Sequence, residues 1–186
     1  MRRLPASVEV GGIAQKARTD YDAILDIIEI LNDPDLADQE RAFLAIMYFY
    51  ENWEDIPQDD YQEAIEKLFW FINGGKIQTE TAPRPKLVDW EQDWDLIVPP
   101  INKVLGREIR AGAPIHWWTF LSAYMEIGEC TFSTVVSIRD KQARGKPLDK
   151  SEKEWYRRNR DIVDLEHRYT MEEKDFLREW GGGTDV

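Results

Sequence analysis

The sequence predicts a mainly α-helical fold, a multi-helix bundle with a short N-terminal β-hairpin and a long, charged C-terminal helix. Two observations carry this expectation. From Asp20 onward, apolar side chains recur at helical spacing in one segment after another, and each segment stops at Pro, Gly or Asn. Strict alternation of apolar and polar residues is confined to one short stretch near the start.

That stretch, Ser7 to Ala17, sets Val8 and Val10 before Gly11-Gly12 and Ile13 after it. Gly-Gly supplies the positive φ that a two-residue turn requires, so a hairpin is predicted. Two strands are too few to stand alone, and this pair must lie on a helical layer or pair with another strand.

Ile24, Leu25, Ile27, Ile28 and Leu31 then share one face of a first helix, which Asp20 can cap and Asn32-Asp33-Pro34 ends. A second helix, opened by Asp35, carries Leu36, Phe43, Leu44, Met47 and Tyr50 and closes at Asp55-Ile56-Pro57. Pro57 suits the first turn of a third, with Tyr61, Ala64, Ile65, Leu68 and Ile72 at core spacing and Asn73-Gly74-Gly75 as its stop. The short loops predict three antiparallel neighbours. Residues 74–88 have the Gly and Pro content of a linker or surface loop, dividing the chain into a hairpin-plus-three-helix part (1–73) and a helical part (89–180), as two bodies or one continuous domain.

In the second part, Asp89 caps a helix with Trp90, Trp94, Ile97 and Val98 on one face, which Pro99-Pro100 is expected to kink or interrupt before Ile101, Val104 and Leu105 resume it up to Gly106. Pro114 opens the next, with Trp117, Phe120, Leu121, Tyr124 and Ile127 on a wide apolar face ended by Gly128. Thr131 to Arg144 is a further helix, stopped by Gly145 and Pro147. Asp149 or Ser151 caps the long charged helix, where Trp155, Ile162, Leu165 and Tyr169 form a narrow seam suited to a partner helix. These four are the candidate partner-binding residues, with Trp155, Ile162 and Tyr169 expected to be exposed. Thr170 and Glu173 make a capping box for a last helix containing Phe176, Leu177 and Trp180, and the tail 181–186 is expected to be disordered.

Composition narrows the function classes. At 186 residues with 12% aromatics, the chain can bury an aromatic-rich core without disulfides, and 42% hydrophobic residues exclude a disordered chain. The lone Cys130 reads as a small core filler. No apolar run reaches the roughly 18 residues of a membrane span and no signal segment opens the chain, so a cytoplasmic protein without a membrane partner is expected. The net charge of −12 is unevenly spread: residues 19–130 hold 23 acidic against 8 basic side chains, whereas 139–160 hold 9 basic against 4 acidic. An acidic body disfavours nucleic acid, and the basic stretch suits an acidic protein surface, including the acidic half of another copy.

Chemistry-bearing motifs are sparse. His116 and His167 are the only histidines; His116 reads as a helix-start residue beside aromatics, and His167 as one member of ordinary helical charge pairs with Asp164. Asp89, Glu91, Asp93 and Asp95 alternate, but a calcium loop starting at Asp89 would need Gly where Trp94 stands and Glu where Pro100 stands. Gly74-Gly75-Lys76 lacks the first Gly of a phosphate loop. Arg157, Arg158 and Arg160 are interleaved with Glu152, Glu154, Asp161 and Asp164, which opposes sustained phosphate binding. No catalytic, metal or cofactor residue is assigned, and an enzyme is not expected.

Asp89-Trp90-Glu91-Gln92-Asp93, the run Ile115 to Phe120, and Phe132-Ser133 followed by Ile138-Arg139 together resemble the signature of the gene-product-fifteen family of long-tailed bacteriophages and prophages. In that pattern an acidic D-x-x-x-D helix precedes a His-Trp-Trp-x-Phe helix and an x-x-R segment. Ser7 to Gly12 and Asp20-Tyr21 resemble its opening, so the likeness spans roughly residues 7–165. The sequence departs from the pattern at Pro99-Pro100 and Gly106-Arg107, where a tyrosine-rich helix end is usual, and beyond Arg168. The resemblance implies a structural core of Asp89, Asp93, His116, Trp117, Trp118, Phe120 and Arg139. It also implies a tail assembly chaperone-like protein of the bacterial host cytoplasm, non-catalytic and without cofactor, self-associating and binding the tape measure protein or another phage tail protein. The competing readings are a structural tail or connector component of the particle and a small helical regulatory or nucleic-acid-binding protein using residues 139–160.

Overall fold

The computed structural model describes residues 3–77 and 85–180, with side chains as far as 176. Helix makes up more than half of the described residues, and among them a single antiparallel hairpin is the only sheet, so the fold is mainly α. The readings of residues 78–84, Leu177, Trp180 and the tail from 181 lie outside the described residues.

The hairpin joins β1 (Ser7–Val10) to β2 (Ile13–Lys16) with Val10 opposite Ile13. This leaves Gly11 and Gly12 as the turn, at φ 57° and 76°, values a side chain would resist. Val8 and Val10 are buried while Ile13 is exposed. The hairpin does not stand alone: the Gly11 N–H donates to Glu63 at 2.9 Å, and Ala17 forms a β-bridge with Tyr50.

Three helices follow, α1 (Tyr21–Asn32), α2 (Asp38–Phe49) and α3 (Tyr61–Ile72). Their apolar faces supply Ile24, Ile27, Ile46, Phe49, Ala64 and Leu68, all with essentially no exposure. The second helix begins at Asp38 and not at Asp35, because Asp33 turns the chain by accepting the Asp35 N–H at 2.8 Å, and Glu40 then accepts the Ala37 N–H at 2.9 Å. Asn73-Gly74-Gly75 stops α3 as predicted: the Gly74 N–H reaches Phe71 O at 3.0 Å and the Gly75 N–H reaches Trp70 O at 2.9 Å.

The remaining helices are α4 (Trp94–Leu105), α5 (Trp117–Met125), α6 (Thr131–Ala143), α7 (Lys150–Arg158), α8 (Arg160–Val163) and α9 (Met171–Trp180). Two expectations are corrected here. Helix α4 starts at Trp94 after turns at 90–93, and it runs unbroken through Pro99-Pro100. Proline inside a helix costs about 3 kcal/mol. Burying Ile97, Val98 and Ile101 returns roughly 1.5–3 kcal/mol each, which holds the helix together.

The long C-terminal helix is also corrected, being replaced by α7, α8, a non-helical stretch over 164–170, and α9. Asn159 breaks it by turning its side-chain amide onto Trp155 O at 2.9 Å. Beyond, the carbonyls of Ile162 and Val163 are taken by Arg139, which removes them from any helical ladder.

The chain falls into two compact units. One comprises Thr19–Asp22 and Phe69–Glu166 with the start of the chain; the other comprises Ala6–Arg18, Ala23–Leu68 and the chain from His167 onward. Among the described residues no helix is long and apolar enough to cross a membrane.

Candidate functional site

The family-motif residues lie in the unit holding α4 to α8, and Arg139 is their centre. It projects from α6 with 4% exposure and meets Asp93, the residue before α4, which has none. Nη1 donates to Asp93 Oδ2 at 2.6 Å and Nη2 to Asp93 Oδ1 at 2.9 Å, a bidentate pair. The other donors are also used: Nε reaches Val163 O at 2.6 Å, Nη1 reaches Leu87 O at 2.9 Å, and Nη2 reaches Ile162 O at 3.0 Å. All five N–H groups of the guanidinium therefore have partners. A buried charge pair is tolerable only when its remaining donors and acceptors are met, and here they are.

Asp89 supports the pair one turn earlier. Its own N–H donates to Asp93 Oδ2 at 3.0 Å, its Oδ1 accepts the N–H groups of Glu91 and Gln92, and Lys86 holds its Oδ2 at 2.7 Å. The D-x-x-x-D spacing thus has a structural cause: the first carboxylate folds the turn that delivers the second to Arg139. Gln92 adds a further tie, donating to Asp164 O at 2.8 Å.

The His-Trp-Trp-x-Phe run opens α5. His116 is its N-cap: Nδ1 accepts the Trp118 N–H at 3.1 Å, so the ring proton sits on Nε2 and donates to Pro5 O at 2.9 Å. Both ring nitrogens are thereby engaged. The two indoles reach the end of α3, where carbonyls lack helical partners: Trp117 Nε1 donates to Ile72 O at 2.8 Å and Trp118 Nε1 to Phe71 O at 2.9 Å. Phe120, fully buried, stacks on Trp117 at 5.4 Å and on Tyr21 at 4.9 Å between ring centroids. Burial foremost, then Asp22, pushes the Tyr21 hydroxyl up to about 12, so it stays protonated and can donate to Ile109 O. Tyr21 was missed as a core partner because it stands beside the expected cap, Asp20, where the helical pattern has no register yet.

Behind Arg139, Val135, Ile138 and Val163 form a buried cluster, with Leu96, Leu148, Trp155, Tyr156 and Ile162 packed against it. Trp155 and Ile162, expected on an exposed seam, are therefore half-buried in the chain's own core; Leu165 is half-buried too, and Tyr169 is 41% exposed. Burial raises Asp164, but hydrogen bonds from Arg160 at 2.7 Å and Tyr156 at 2.8 Å outweigh it and hold the carboxyl below its usual range. Lys141 holds Glu152 down in the same way.

Apart from Tyr169, the exposed apolar side chains were not legible as such. Ile77 and Met125 stand out in the first unit, and Tyr169, Met171 and Phe176 in the second. Tyr169 and Phe176 line a shallow depression with Glu172 and Glu173. Among the described residues no group of three or more His, Cys, Asp or Glu is placed to hold a metal ion.

The molecule so defined is a mainly helical protein whose motif carboxylates, guanidinium, imidazole and indoles hold elements together. The model of the Bacteriophage Gp15 protein family matches residues 1–165, and the chain belongs to that family. No curated protein and no solved structure matches it.

Proposed function

We propose that this phage protein is a tail assembly chaperone, a non-catalytic helper that binds the tape measure protein while the tail is built and acts in the host cytoplasm. One observation carries the reading: the polar groups that mark the family are consumed inside the fold, Arg139 through all five donors and His116 through both nitrogens. Groups so engaged hold structure, which leaves surfaces as the means of action. Membership of a phage family supplies the context.

The contact surface is placed on Tyr169, Met171 and Phe176, which are exposed and flanked by Glu172 and Glu173. An apolar strip with an acidic border fits an amphipathic helix of the client and keeps the empty protein soluble. Trp155 and Ile162 are left out of this surface, since they pack on the buried cluster of Val135, Ile138 and Val163.

Co-expression with the tape measure protein of the same phage tests the reading. The client is expected to co-purify, and replacing Tyr169, Met171 and Phe176 together by Ser to abolish that without unfolding the chain. Undiminished recovery with the triple variant would remove the surface from the proposal. A protein that stays in purified virions at fixed stoichiometry would point instead to a structural tail component.

A further inference from the structure

Residues 42–66 hold seven acidic side chains and no basic one. Part of that charge is answered within the chain: Glu51 pairs with Lys16 at 2.6 Å, Glu63 accepts the Gly11 N–H at 2.9 Å, Glu66 accepts from Gln62 at 2.7 Å, and Asp60 is half-buried. Glu54, Asp55 and Asp59 are exposed, and none of these three carboxylates has a hydrogen-bond or ion-pair partner among the described residues. They sit on two 3-10 turns, Trp53–Asp55 and Gln58–Asp60. Between the turns Ile56 is 4% exposed and donates its N–H to Trp53 O at 3.1 Å, and Pro57 fixes φ at −59°. A loop pinned in this way loses little conformational freedom when something docks on it.

Helix α7 carries the opposite excess. Lys150, Lys153 and Arg157 lie at i, i+3 and i+7, a row about 10 Å long on one side of the helix. All three are exposed, none has a hydrogen-bond or ion-pair partner among the described residues, and with Glu154 they line one shallow depression. Glu154 offsets one of the three charges and leaves the depression positive. The other side of α7 is occupied: Trp155 and Tyr156 pack on the core, and Glu152 pairs with Lys141.

Each of the two features lies whole within one compact unit, the basic row in the unit that holds α7 and the acidic loop in the unit that holds α2. We propose that the basic depression of α7 receives the acidic loop 54–59 of a second copy of this chain. Charge complementarity selects this partner: the loop has free carboxylates and no cation of its own, the depression has free cations, and every copy carries both. The two surfaces differ, so the contact is heterologous and can repeat from copy to copy. A nucleic acid would have to approach the same row past an acidic body, with 23 acidic against 8 basic side chains over residues 19–130. The inference goes beyond the proposed client and does not depend on it. Exposed ion pairs are individually weak, so the association is weak and sensitive to salt.

Carbodiimide cross-linking joins a Lys amine to a carboxylate only where the two touch, and it reads this contact in the purified full chain without client. In an equimolar mixture of unlabelled and nitrogen-15-labelled chains at about 0.1 M salt, Lys150 and Lys153 are expected to link to Glu54, Asp55 or Asp59 in peptides of mixed isotope content. At about 1 M salt, where the screening length falls from about 10 Å to about 3 Å, those links are lost. In sedimentation velocity, the average mass of the wild type should rise with concentration above the single-chain 21.9 kDa. Lys150→Glu with Lys153→Glu and Arg157→Glu loses that rise, and so does Glu54→Lys with Asp55→Lys and Asp59→Lys. An equimolar mixture of the two variants regains it, which a misfolded variant could not do. Links absent or confined to single-isotope peptides, variants that associate as the wild type does, or a mixture that fails to regain association would overturn the proposal. So would duplex DNA bound by the wild type through the basic row without self-association.

Discussion

Arg139 and Asp93 join α6 to the start of α4 through two hydrogen bonds of 2.6 and 2.9 Å, at a place where neither side chain is more than 4% exposed. Removing one partner strands the other charge in the core, which costs about 3–5 kcal/mol. Urea unfolding of Arg139→Met should show a loss of that size. Arg139→Lys keeps the charge but offers three donors in place of five, and should still lose about 1–3 kcal/mol because backbone carbonyls at Leu87, Ile162 and Val163 compete for them.

The indoles of Trp117 and Trp118 allow a graded test. Trp118→Phe keeps a ring against Trp70 and removes only the donor to Phe71 O, a carbonyl that Gly74 also serves, so the cost should be about 1 kcal/mol. Trp117→Phe shrinks a side chain with 1% exposure and leaves Ile72 O without its indole partner. It should cost about 2–4 kcal/mol by the same urea measurement.

Gly75 sits at φ 82°, and a Cβ there would lie 2.9 Å from Trp118 Cη2 and 3.2 Å from Cζ2. Gly75→Ala therefore meets both backbone strain and the indole, and a destabilisation of about 1–3 kcal/mol is expected from thermal unfolding. A neutral effect would show that the indole moves freely.

Acid should loosen the α6–α8 region first. Glu152 and Asp164 are held below their ordinary values by Lys141, Arg160 and Tyr156, so their contribution is complete above the unfolded values near 4 and is lost as pH falls through the folded ones. Glu108, held to about 2 by Arg110, behaves likewise at the end of α4. The urea midpoint should fall as pH drops from about 4.5 toward 2, and Asp164→Asn should flatten that slope.

Much of the fold was legible because its signals are local. Gly11-Gly12 and Gly74-Gly75 fix backbone conformations that few other residues adopt, and the faces of α1 and α3 repeat without interruption. The family signature singles out Asp89, Asp93 and Arg139, whose burial and pairing follow from D-x-x-x-D folding one turn toward one guanidinium. What failed were places where distant groups decide. The seam from Trp155 to Tyr169 reads as one helix until Arg139 claims the carbonyls of Ile162 and Val163, a contact that spans 24 residues of sequence at its longest. Pro99-Pro100 reads as a break until the burial of Ile97, Val98 and Ile101 outweighs it.

Recovery of the tape measure protein in soluble form reports whether this chain acts through its surfaces. When the two proteins of one phage are co-expressed, the client should shift from the insoluble to the soluble fraction and co-elute with this chain, and the Tyr169, Met171 and Phe176 triple variant should leave it insoluble. A client whose solubility is the same with and without this protein would contradict the account.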